Sequence, residues 1–191
     1  MARGDKIEIV EIDNPEYVAR SDHFRHMVYK FVGEIKLPTI NYESLHNYLC
    51  TITNGVAQQK RSGVPDSAIE FKMFGGYVND VLKGFCLFYL MPNRIPHIQT
   101  IDWPYCYSED IRVTHGFCLK VKEYKKKWGA RHISLIAVSE RNLRVFKRAF
   151  KSVHIGGTYI IAEDVKDGLF DKHDHGNEHS SQEQDRKISQ G

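Results

Sequence analysis

At 191 residues, 41% of them hydrophobic and 27% charged, the chain has the size and composition of one globular domain with a tail, which excludes a fibrous or wholly disordered protein. No stretch approaches the ~20 apolar residues of a membrane-spanning helix, and the first residues lack the apolar run of a signal peptide, so a cytosolic protein, or one packaged from a cytosol into a virion, is expected. The net charge of +3 is unevenly spread: residues 112–151 are strongly basic and the segment after Glu163 is mildly acidic.

Lys6 to Ile12 (KIEIVEI) alternates charged and branched aliphatic residues and reads as a first strand. Pro15 opens a helix running to about Val32, with Phe24, Met27, Val28 and Phe31 as its apolar face. Asn41 caps a second helix carrying Leu45, Tyr48, Leu49, Ile52 and Val56, and Asn54-Gly55 is expected to end or fray it. Gln58 to Asp66 reads as a polar loop. Ser67 to Phe74 alternates, with Ile69, Phe71 and Met73 on one side and Glu70 and Lys72 on the other, as in a half-buried strand. Gly75-Gly76 and Asn79-Asp80 are turn signals. Gly84 to Met91 is continuously apolar, a strand buried on both faces. Pro92 to Pro96 reads as a turn and His97 to Trp103 as a further strand.

The stretch from Ser108 to Phe150 organises the rest. Thr114 is the expected cap of a central helix whose Phe117, Val121, Tyr124 and Trp128 recur at helical spacing, and Gly129 ends it. Arg131 to Val138 is a short apolar strand. Ser139 then caps a helix with Leu143, Phe146, Phe150 and Val153 as its buried stripe, and Thr158 to Ala162 is a last strand. Twelve cations from Arg112 to Lys151 surround these stripes, opposed only by Glu123 and Glu140. Free N–H groups at a helix start with cations nearby suit a phosphate-bearing ligand. From Gly168 the sequence is almost without apolar residues, which sets a domain over 1–165 and a polar, disordered tail over 166–191. The three consecutive strands need only hairpins, whereas the later alternation of helix and strand needs crossovers. The fold class is therefore α/β of the α+β type: a mixed sheet, antiparallel at the start and parallel around the central helix, flanked by helices.

That order, with Lys120 to Val138 (KVKEYKKKWGARHISLIAV) followed by Ser139 to Phe150 (SERNLRVFKRAF), resembles the GCN5-related N-acetyltransferase (GNAT) superfamily over roughly residues 6 to 162. The resemblance implies acetyl-CoA in a gap between the fourth and fifth strands and an amine as acceptor. It implies a pyrophosphate loop at Arg112, Val113, Thr114, His115, Gly116 and Phe117, and it places Asn142 beside the cofactor. The sequence departs from the family pattern in two places. One loop glycine remains, with His115 where another would stand. Phe146 and Phe150 occupy the last helix where many members carry a tyrosine that protonates the departing thiolate. Internal virion proteins of short-tailed phages, GNAT-like with worn motifs, look similar as well.

Amine acetylation needs a base for the acceptor and an acid for the thiolate. Asp102 on the fourth strand is the candidate base, with His97 as an alternative. Tyr105 and Tyr107, expected between that strand and the central helix, are candidate acids. No metal ligand set is expected: His23 and His26 stand three apart with no matched third ligand, and the tract holding His173, His175 and His179 reads as solvated tail. Cys118 with His115 has the spacing of a nucleophile pair, but Cys118 falls beside the core stripe. Cys50, Cys86, Cys106 and Cys118 show no CxxC pairing and read as reduced thiols. Two functions remain open. One is an acyl-CoA-dependent N-acyltransferase. The other is an inactive GNAT-like structural or virion protein whose 112–151 basic face meets nucleic acid or an acidic protein. The oligomeric state is not legible.

Overall fold

The computed structural model describes residues 4–35, 40–91, 99–135, 140–150, 152–155 and 158–162, with side chains described up to 135 and over 144–150. The expected turn at Pro92 to Pro96, His97, Ser139 and the 166–191 tail lie outside these residues, as does the 165/166 boundary.

Strand β1 (Ile7–Glu11) is followed by helices α1 (Pro15–Arg20), α2 (Asp22–Ile35) and α3 (Tyr42–Arg61), then strands β2 (Phe71–Val78), β3 (Val81–Met91) and β4 (Thr100–Ser108). Helix α4 (Ile111–Trp128), strand β5 (His132–Leu135), helix α5 (Glu140–Ala149) and strands β6 (Ser152–Ile155) and β7 (Thr158–Ala162) complete the fold. The sheet order is β1-β2-β3-β4-β5-β7-β6. Every neighbouring pair is antiparallel except β4 and β5, which run parallel on either side of the α4 crossover. This is the mixed sheet expected from the sequence.

The period of two in β3 explains its unbroken apolar run. Phe85 and Leu87 face one layer, formed by α1, α2 and α3 with Val18, Phe24, Phe31, Leu45 and Leu49. Cys86 and Phe88 face the other, formed by α4 and α5 with Val113, Phe117, Val121, Trp128 and Phe146. Each such side chain contributes roughly 1.5–3 kcal/mol by leaving water.

Several elements differ from the sequence expectation. The first helix is two helices: Asn14 accepts from the N–H groups of Glu16 and Tyr17 to start α1, and the chain breaks at Ser21. Asn41 caps α3 as expected, but α3 runs through Asn54-Gly55 to Arg61, because Thr53 and Val56 are buried on both sides of that dipeptide. Gly75-Gly76 is not a turn. Both glycines lie inside β2, where a Cβ on Gly76 would stand 2.1 Å from Val113 Cγ1, so the missing side chain lets α4 sit close on the sheet. The turn is Asn79-Asp80, both at positive φ. Lys72, expected to face water, has a fully buried side chain. Tyr105 and Tyr107 are in β4 rather than after it. Val153 belongs to β6 and not to the α5 stripe. Gly129, at φ 65°, does end α4.

Candidate active site

The β3–β4 ladder contains a bulge. Leu87 pairs with Tyr105 and Tyr89 with Asp102, so two steps along β3 answer three along β4, and the extra residue falls at Trp103-Pro104. β4 pairs in parallel with β5 from Thr100 opposite His132 to Trp103 opposite Leu135, the last described residue of β5 before residue 140, and β4 continues to Ser108. Pro104 has no N–H to extend a ladder.

Asp102 is half-buried on β4, opposite Ser134 of β5. Tyr89, its cross-strand partner, donates its hydroxyl to Asp102 Oδ2 at 2.6 Å. The Tyr105 ring meets Tyr48 of α3 at 6.1 Å and Phe31 of α2 at 5.8 Å, both edge-on. Burial raises the Tyr89 phenol, and the bond to Asp102 raises it further. Burial, then Tyr48 and the Asp102 charge, raise Tyr105. Burial and Asp102 likewise raise Tyr48. All three phenols therefore keep their protons at neutral pH. Asp102, Tyr48, Tyr89 and Tyr105 thus share one face of the sheet. Tyr107 lies further along that face, buried in the α1–α3 layer against Phe31. Sequence reading singled out Asp102 and Tyr105. It missed Tyr48 and Tyr89, since one had been absorbed into a helix stripe and the other into a core strand.

Trp103 points to the opposite layer, 5.0 Å from Phe146 of α5, and its indole N–H is buried with no hydrogen-bond partner among the described residues. Asn142 falls in the first turn of α5, and its side chain lies outside the described residues.

The expected phosphate loop is helix. α4 begins at Ile111, so Arg112 to Phe117 form its first turns, and Thr114 is a buried helical residue rather than the cap. The cap is Asp110, whose side chain accepts from Arg112 N–H at 2.8 Å. Val113 and Phe117 are fully buried against β2, and Gly116 faces Ile9 of β1, so its glycine serves helix–strand packing. His115 is exposed. The Arg112 guanidinium is held by Asp110, at 2.7 Å from Nη2, and by Asp5, at 3.0 Å from Nη1. The positive end of α4 therefore meets carboxylates of the chain itself. Cys118 is buried, and burial pushes its thiol up to about 12, which removes it as a nucleophile at neutral pH. Among the described residues no three His, Cys, Asp or Glu side chains converge as a metal site, and no helix is long and apolar enough to cross a membrane.

No family model matches the chain, and no curated protein matches it in sequence. Solved structures do match it. The PaiA N-acetyltransferase of Thermoplasma acidophilum, in complex with coenzyme A, superposes with a TM-score of 0.56 at 14% identity, over 83% of this chain and 99% of its own. The fold is that of the GNAT N-acetyltransferases. A probable acetyltransferase from Staphylococcus epidermidis gives 0.54 at 14% identity, over 83% of this chain and 100% of its own. A ribosomal-protein-alanine N-acetyltransferase from Brucella melitensis gives 0.50 at 12% identity, over 75% and 90%.

Proposed function

We propose that the chain is an acyl-CoA-dependent N-acyltransferase that moves an acetyl group from acetyl-CoA to an amine. One observation carries this reading: in a sheet with the fold of N-acetyltransferases, β4 runs parallel to β5 and carries a half-buried carboxylate, Asp102, to which Tyr89 donates its hydroxyl. Bound acetyl-CoA would supply the thioester. Asp102 takes the proton of the acceptor amine, Tyr89 orients its carboxylate, and Tyr105, kept protonated by burial, is the donor within reach of the same face. The fit is poor at the phosphates, where Arg112 is engaged by Asp110 and Asp5.

Isothermal titration with acetyl-CoA, followed by thiol release with an amine present, tests the reading. Saturable micromolar binding is expected, with turnover falling roughly 100-fold in Asp102→Asn. No binding at millimolar acetyl-CoA would sink it.

The closed α4 end favours a second reading, a GNAT-fold protein without catalysis that acts through its basic face. Part of that face is used internally, since Lys127 pairs with Asp66 and Lys120 with Glu123. Lys126, Arg131, Lys147 and Arg148 are exposed and would meet nucleic acid or an acidic protein. Duplex binding that weakens steeply with salt, in a chain that ignores acetyl-CoA, selects this alternative, including its virion form.

A further inference from the structure

The sheet ends at β1, whose strand partner among the described residues is β2 alone. The ladder between them shows which groups of β1 face outward. Ile12 donates its N–H to the Met73 carbonyl at 2.8 Å, and the Lys6 carbonyl accepts from Asn79 N–H at 2.9 Å. Both pairs continue the register in which Ile7 stands opposite Val78. Backbone groups alternate sides along an antiparallel strand, so Glu8 and Val10 also bond toward β2. Ile7, Ile9 and Glu11 therefore aim their N–H and C=O groups at the outer edge.

The side chains along this edge are of two kinds. Ile7 is 36% exposed and Val10 48%, on opposite faces of the strand. Leu119 of α4, one turn beyond the Gly116 that packs on Ile9, is 54% exposed. Flanking Ile7 is a charge pair: Lys6 and Glu8 lie on one face, 2.8 Å apart, and both are largely in water. Edge strands are commonly blunted by charged side chains. Two opposite charges spaced symmetrically about Ile7 do the reverse, because they complement a second copy of the same strand run antiparallel.

We propose that β1 pairs antiparallel with β1 of a second copy of this chain, about a two-fold axis at Ile7 perpendicular to the sheet, so that two sheets join edge to edge. Ile7 then faces the partner's Ile7. Lys6 stands opposite the partner's Glu8, and Glu8 opposite the partner's Lys6. The outward N–H and C=O groups of Ile7 and Ile9 meet those of the partner's Ile7 and the partner's Asp5. The neighbouring registers lack this complementarity. Centring on Glu8 sets that carboxylate against its own copy, and centring on Ile9 sets Lys6 against the partner's Ile12. Like charges directly opposite each other destabilise a strand pair. A two-fold contact is isologous and closes on itself, so the product is a dimer rather than a fibre. The pairing draws nothing from the acyltransferase reading.

Sedimentation velocity of the full chain from about 1 to 200 μM, the range in which a small interface associates, is the test. We expect the mass to rise from 22.1 kDa toward twice that value. Lys6→Glu and Glu8→Lys should each weaken the dimer about tenfold or more, because each sets like charges opposite one another. The Lys6–Glu8 pair is exposed and contributes little to the fold itself. An equimolar mixture of the two variants should dimerise again, since opposite charges then meet on both sides of the axis. That recovery also shows that neither substitution acts by unfolding the chain. Ile7→Cys should cross-link to its own copy under mild oxidation faster than Val10→Cys. A chain that stays monomeric, a dimer that survives both single substitutions, or a mixture that fails to restore it overturns the pairing. A monomer whose Ile7 and Ile9 amides exchange slowly with solvent overturns it in favour of another segment of the same chain on this edge.

Discussion

The Asp110 carboxylate receives both the backbone N–H of Arg112, at 2.8 Å, and the Arg112 guanidinium, at 2.7 Å from Nη2. One side chain thus caps α4 and neutralises the cation nearest its positive end. Asp110→Asn keeps a capping oxygen, because Asn and Asp cap equally well, and removes the charge. Under the acyltransferase reading it should tighten CoA binding about three- to tenfold at low salt, as measured by titration calorimetry. An unchanged dissociation constant would mean that the phosphates are held away from this helix end.

Lys72 should be costly to remove. Its side chain is fully buried, bonded to Glu11 at 3.0 Å and to Asp66, with the ammonium 5.4 Å from the Tyr124 ring centroid. Lys72→Met fills similar volume but strips Glu11 and Asp66 of their shared cation. Both carboxylates keep other lysines, so the loss should be about 1–3 kcal/mol rather than that of a fully orphaned charge. Urea unfolding reads it directly, and a variant as stable as the parent would show that the ion cluster adds nothing.

The same cluster sets the acid limit. Hydrogen bonds from Lys127 and then Lys72 hold the Asp66 carboxyl down at about 2. A carboxyl whose folded value lies below its unfolded one stabilises the protein above the ordinary value near 4, and that contribution disappears as pH falls toward 2. The urea midpoint should therefore drop between pH 4 and 2, and Asp66→Asn should flatten the drop. An equally steep fall in the variant would assign acid unfolding to other groups.

At the alkaline end the sign reverses. Burial raises Tyr124 to about 12 and raises Tyr48, Tyr89 and Tyr105 as well. Groups whose folded values are raised stabilise the fold below the unfolded value near 10, and this is lost as pH climbs through the folded values. Phenolate absorbance should lag behind that of free tyrosine, with stability declining between pH 10 and 12. A titration finished by pH 10.5 would contradict the burial of these rings.

Two glycines should respond differently to alanine. At Gly84 a Cβ would lie 2.4 Å from the Tyr107 carbonyl oxygen, a backbone atom of the neighbouring strand. At Gly116 it would lie 2.7 Å from Ile9 Cγ1, a side chain that can turn away, and a helix gains nearly 1 kcal/mol from replacing glycine by alanine. Gly84→Ala should cost about 2–3 kcal/mol and Gly116→Ala less than 1. Comparable losses in thermal unfolding would mean that Ile9 cannot move.

Much of the fold was legible in the residues themselves. Alternation marked β1 and the start of β2, a continuous apolar run marked β3, helical spacing marked α2 and α3, and Asn41, Asn79-Asp80 and Gly129 marked boundaries where they occur. The misreadings share one cause, which is packing between distant elements. Gly75-Gly76 has the composition of a turn and is a strand because α4 presses on it. Asn54-Gly55 weakens a helix locally, yet α3 continues because its buried face does. Asp102 was found in the sequence as a polar residue on a predicted strand, and Tyr105 as one expected just after it. Tyr48 and Tyr89 were not, because a tyrosine at an apolar position carries no mark of what its hydroxyl meets.

Local chemistry in the sequence determined which segments are helices and strands, where most of them end, and the mixed order of the sheet, since these depend on periodicities and caps a few residues long. The tertiary structure alone decided what the charges do. Asp5 reaches Arg112 across 107 positions, Lys72 turns inward to Glu11 across 61, and Asp102 receives the hydroxyl of Tyr89 across 13. Electrostatics and burial act through space, and only the folded chain brings those groups within range.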